Sequence, residues 1–158
     1  MSTRKLLLDF HAHIETSVLQ DVENSSDQLF AESVGSLARP ATNYMTEAGL
    51  FLSYAARYVA NPDEVELLKM GPDPEKTQAD SRRQSQIILK KGFRDIRKTI
   101  EALPEEQFSE MIMPMWRKEI TKGHFLLYAL AHVLYHDGQL ALTQLMSGDQ
   151  EIHWIKAL

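Results

Sequence analysis

Residues 132–140 read His-Val-Leu-Tyr-His-Asp-Gly-Gln-Leu and sit inside an apolar stretch of about 121–147. Phe125, Leu126, Leu127, Leu130, Val133, Leu134, Leu140, Leu142 and Leu145 make this stretch apolar on nearly every side, which predicts a helix central to a bundle or to a dimer. Ser147-Gly148 is read as its stop. His132 and His136 are four apart, so a helix stacks their imidazoles on one face. Two neutral imidazoles so placed can share one metal ion. A lone histidine on a helix is more often structural, but a buried pair needs partners or a shared ion. Val133 follows His132, so the glutamate of a His-Glu-x-x-His protease helix is missing.

The rest of the chain supplies three more helices. Leu7, Phe10, His11, Ile14 and Val18 recur at steps of three and four and predict a helix over 5–22, with His11 on its buried face and His13 off it. Glu23–Asp27 ends that helix or leads onward. A second helix is expected over about 40–60, with Pro40 in its first turn and Asn61-Pro62 as its stop. A start at Ser33, with Pro40 as a kink, is the alternative. Pro62, Gly71, Pro72 and Pro74 mark a loop, with room for one helical turn over Glu64–Lys69. A third helix is read over about 74–103, apolar only in its second half, where Gly92 weakens it slightly. Its polar first half, Gln78 to Gln86, is expected in solvent or against a partner. After Pro104 comes a connector holding Met111-Ile-Met-Pro-Met-Trp116, read as gap-filling core ahead of pocket wall. No segment alternates long enough to claim a strand. The expected tail, Glu151–Leu158, is a short helix or an extended cover. The fold class is therefore all-α, one domain over 1–158, a four-helix bundle with a long connector before its last helix.

Composition narrows the function. The net charge is −5, which argues against nucleic-acid binding. There is no cysteine, so a metal would need His, Asp, Glu or water, and any reacting thiol would be a cosubstrate. No apolar run has the length of a membrane span, and the start is a poor signal peptide, so a cytoplasmic protein with no membrane partner is expected.

The order of these parts, with His132-x3-His136-Asp137-Gly138-Gln139-Leu140 on the last helix, resembles the DinB/YfiT-like superfamily over essentially the whole chain. That resemblance implies an up-down-down-up bundle, a homodimer, and one divalent ion (Zn, Ni, Mn or Fe) held by three histidines, two of them His132 and His136. It implies a metal-dependent hydrolase or a thiol-dependent S-transferase of unassigned substrate. Its pocket would be lined by Tyr44, Trp116 and Gln139, the last of these sharing the histidines' face as an outer-shell partner. The chain departs from the pattern twice. Asp137 stands where the family prefers arginine, and its rotation of about 100° from His136 suggests a surface charge or an interface contact. The third histidine falls at Pro40, and no histidine lies between His13 and His124. Glu47 or Asn43 is then the nearest oxygen donor. Three site readings follow: Glu47 completes the site, His11 replaces the lost histidine, or the metal is gone and the two histidines hydrogen-bond in a pocket inherited from an active ancestor. The sequence favours the last, since two histidines without a firm third ligand make a weak site. A non-catalytic homodimer that binds a small ligand or serves in stress is the alternative function. His124 and His153 are expected to be exposed.

Overall fold

The structure, a computed structural model, describes residues 2–33, 39–63, 79–114 and 118–153. Among the described residues five helices run in chain order: α1 Thr3–Asn24, α2 Asp27–Ala31, α3 Ala41–Ala60, α4 Arg82–Ala102 and α5 Lys122–Met146. Side-chain caps explain several of the starts. Ser2, Ser26, Ser81 and Thr121 each accept a hydrogen bond from the backbone N–H three residues on. Pro40 is the N-cap of α3, so it neither kinks that helix nor lies inside it. A 3-10 turn, Glu105–Ser109, follows Pro104.

The four long helices form a square in which α3 packs chiefly on α4 and α5, and α1 packs on the same two from the other side. The core between them includes Ile14, Val18, Met45, Leu52, Phe93 and Phe125, all buried. Burial of side chains of this size is worth about 1.5–3 kcal/mol each and dominates the fold.

Several expectations need correction. The short helix α2 was not foreseen. Residues 79–81 are not helical, so α4 begins at Arg82, and the part expected over 74–78 lies outside the described residues, as does the turn over 64–69. The polar start of α4 is not free of the core either, because Ser85 is buried and bonds to Thr46 at 3.1 Å. The connector contains a strand pair, β1 Met111–Ile112 and β2 Ile120–Thr121, antiparallel with Met111 opposite Thr121. At two residues each, these strands are too short to show alternation. Among the described residues of the Met-rich segment, Ile112 and Pro114 are buried and Met111 and Met113 are exposed, so these two methionines are not core. Trp116, Met115 and the tail from 154 on lie outside the described residues.

Gly92 has a role that helix propensity does not show. A Cβ there would fall on the carbonyl oxygen of Gly49, and one on Gly49 would lie 2.8 Å from the backbone of Leu89. The two glycines let α3 and α4 touch backbone to backbone. In an exposed helix Gly→Ala adds roughly 1 kcal/mol of stability. Here the sign reverses: Gly92→Ala should destabilise the protein by about 1–3 kcal/mol, the usual cost of overpacking. Urea denaturation reads this directly, and a variant at least as stable as the parent would refute the close contact.

Candidate metal centre

α3 carries two opposed faces. Thr46, Gly49 and Ser53 meet α4, with Ser53 donating to Asp95 at 2.7 Å. Tyr44, Glu47, Phe51, Tyr54 and Tyr58 recur at steps of three and four on the other side. This second face meets α5: the Tyr44 ring stacks on His136 at 5.8 Å, and Phe51 lies 4.8 Å from the ring of His132. Tyr54 and Tyr58 pack edge-on against Phe125 below.

Glu47 is the one acidic member of this face, and it points at the histidine pair. Its Oε1 lies 3.8 Å from Nε2 of His132 and 3.8 Å from Nε2 of His136. The two Nε2 atoms are 3.1 Å apart. One ligand atom from each of the three residues lies within 4.8 Å of the others. These three separations fall below the roughly 4.2 Å that two metal–ligand bonds of about 2.1 Å can span. Two imidazoles and a carboxylate suit a divalent transition ion and leave positions for water or substrate. The residues present therefore fit a metal.

The histidines are held in the state a metal needs. Burial pushes both pKa values down, and for His132 the neighbouring His136 adds to that, while Glu47 opposes it in both. Both rings are thereby kept neutral. Gln139 Nε2 donates to the Tyr135 hydroxyl at 3.4 Å, which turns its Oε1 toward His136 Nδ1 at 2.7 Å. His136 then carries its proton on Nδ1, and its Nε2 lone pair faces Glu47 and His132. This is the outer-shell arrangement that orients metal-binding histidines.

The remaining candidates lie elsewhere or add new contacts. His11 is buried on α1, its Nε2 2.9 Å from the Phe93 carbonyl, and it is not a member of the ligand group. Asn43 lies buried on α3, one turn before Glu47. Trp116 is outside the described residues. Arg39 had no role in the sequence reading, yet its guanidinium donates to Glu47 Oε2. It lies just outside α3, so no helical spacing could pair it with Glu47.

Asp137 and His153 correct the reading most. Asp137 is neither a surface charge nor at an outer face. It is 8% exposed and meets the buried Asp21 of α1. His153 is buried as well and bonds to Asp149 at 2.8 Å; His124 is exposed. Burial, then repulsion by Asp21, pushes the Asp137 carboxyl up to about 8, and burial raises Asp21 too. The two raised carboxyls thus hold a proton between them. His153 lowers Asp21 through its charge, and Tyr44 of α3 feels Asp137.

No known protein family matches the chain, and no curated protein does.

The acid pair gives a pH dependence with a definite sign. The folded pKa of Asp137, about 8, lies above its ordinary 3.8, so the folded state holds a proton that the unfolded chain releases. Stability is fully present below about pH 4 as far as this group is concerned, and falls as pH rises toward 8. Asp137→Asn keeps a donor for Asp21 and removes the ionisation. It should raise stability at pH 8 by on the order of 1 kcal/mol or more, about 2–4 °C in Tm, with a smaller gain at pH 5 that grows steadily with pH. Thermal melts across pH 5–8 that run parallel for both proteins would refute the shared proton.

Proposed function

We propose that the chain is a DinB/YfiT-like metal protein in which Glu47 has taken the place of the family's third histidine. One divalent ion, Zn, Ni, Mn or Fe, is held by Glu47, His132 and His136. The observation that carries this reading is the convergence of Glu47 Oε1 on both Nε2 atoms at 3.8 Å. Four long helices, with the histidine pair on the last, support the family assignment.

When bound, the ion would act as a Lewis acid that lowers the pKa of a water or thiol and supplies a nucleophile at neutral pH. The reaction class is hydrolysis or thiol-dependent S-transfer, with the thiol as cosubstrate because the chain has no cysteine. The protein's own residues do the rest. Gln139 fixes the His136 tautomer, Tyr44 and Phe51 brace the two rings, and Glu47 supplies the one anionic ligand. His136 is buried while Glu47 and His132 remain partly open, at 19% and 20% side-chain exposure, so a small molecule can reach the ligand set.

One observation favours the non-catalytic alternative. The same groups satisfy each other with no ion, His132 bonding to His136 and Glu47 to Arg39. Metal content decides. Purified tag-free protein should take up about one equivalent of Zn, Ni or Mn. His132→Ala should abolish uptake, and Glu47→Gln should weaken it by at least tenfold. Wild-type protein that takes up none of the three ions sinks the metal reading and leaves the alternative.

The partner we propose is a second copy. Along α5 the only charged side chains, Lys122 and Asp137, are both buried. The outward side shows Leu127, Leu134, Leu142, Leu145 and Met146 instead, all exposed. A face this apolar and uncharged on a 25-residue helix marks a contact surface. A chain of charge −5 can meet itself there without repulsion. A homodimer is expected by light scattering, and Leu134→Glu should convert it to monomer with unchanged helicity. A wild-type monomer at 100 µM, roughly the weakest association considered specific, would remove this proposal.

A further inference from the structure

Among the described residues, Arg39 is the cation that bonds to the ligand group, and it stands at the outer edge. Its side chain is 44% exposed, against 19% for Glu47 and 20% for His132. The Glu47 carboxylate is divided between two tasks: Oε1 faces the histidines, and Oε2 accepts from Arg39 Nη1. A guanidinium has five N–H donors in a planar fork. Among the described residues, Glu47 is the recorded partner of one of them. The remaining donors suit another planar oxyanion, because the fork matches a carboxylate with two parallel bonds.

The charge count favours an anion at this place. Metal-bound imidazoles are neutral. The carboxylate of Glu47 and the guanidinium of Arg39 cancel, so a divalent ion leaves the site with a surplus of two positive charges. A partly exposed site with that surplus attracts anions. The surroundings add an apolar component. Tyr128 and Tyr135 both lie with their rings 6.4 Å from His132, stacked, and both are exposed. An organic body, unlike a bare inorganic ion, can pack on their exposed parts.

We propose that Arg39 is the substrate anchor of this centre, and that the substrate is a small organic acid whose carboxylate pairs with the guanidinium while its apolar body lies against Tyr128 and Tyr135. The inference rests on the metal reading above and names the substrate class for it. Arg39 is a binding residue here, not a ligand of the ion. Its bond to Glu47 sets the guanidinium at a constant place beside the ligand set, so the acid's carboxylate is held next to the open metal positions.

The test uses the full chain loaded with Co(II), whose visible absorption reports on the ligand set. Phenylacetate serves as the organic acid and inorganic phosphate as the bare anion. Phenylacetate should perturb the Co(II) spectrum and bind more tightly than phosphate. Arg39→Gln should still take up one Co(II) and should bind phenylacetate at least about tenfold more weakly, as expected for losing a hydrogen bond to a charged group. Arg39→Lys, which keeps the charge and loses the fork, should fall between. Equal phenylacetate affinity in the parent and Arg39→Gln overturns the anchor while the metal reading stands. Tighter binding of phosphate overturns the substrate class. Absence of Co(II) uptake by the parent overturns the metal reading and this inference with it.

Discussion

The backbone contact between Gly49 and Gly92 sets the rotation of α3, and the site depends on that rotation. Thr46, Gly49 and Ser53 face α4 through small or hydroxyl side chains. Glu47 is two residues before Gly49 and Phe51 two after, each rotated by about 200° from it on an α-helix. Whatever turns the glycine toward α4 therefore turns Glu47 and Phe51 toward α5. A larger side chain at either glycine would push the helices apart and shift that angle. A ligand group with separations of 3.1–3.8 Å tolerates little such movement.

The same geometry explains how a carboxylate can stand beside the buried His136 and the half-buried His132. Glu47 divides its two oxygens, one toward the histidines and one to Arg39. The histidines stay neutral because burial outweighs the attraction of that carboxylate. Neutral rings, a tautomer set by Gln139 and a carboxylate within reach describe a site organised before any ion arrives. Structural packing alone would be served as well by apolar side chains, which avoid the cost of burying polar groups.

What the sequence showed and what it hid divide along physical lines. The helix over His132 to Gln139 and its shared face were legible because spacing on one helix is a local property. Glu47 was reachable only as the nearest oxygen donor; its orientation depends on how α3 rotates against two neighbours, which no local pattern encodes. Gly92 was read as a weak point, since propensity sees one helix and not the glycine opposite. The rotation of Asp137 away from His136 suggests by itself a surface charge or an interface contact. On a helix packed between α1 and α3, that direction leads to Asp21 instead. The start of α4 was misjudged because polar residues there, Ser85 above all, bond across to α3.

α5 thus carries three different surfaces around one axis, and this accounts for its unusual composition. One side meets α3 and carries the two histidines. A second meets α1, where Asp137 and Gln144 make buried polar contacts; Gln144 donates to the Asp21 carbonyl at 3.2 Å and to Ser25 at 3.0 Å. The third faces outward and is apolar and uncharged. A helix serving only a monomeric bundle needs an apolar stripe and a charged back. Here the charged residues are inside and the apolar ones outside, the reverse of that rule on this third side. Tyr135 joins the outer and inner surfaces, since it is exposed and its hydroxyl accepts from the Gln139 that holds His136. A contact made at Tyr135 is therefore one side chain away from the ligand set.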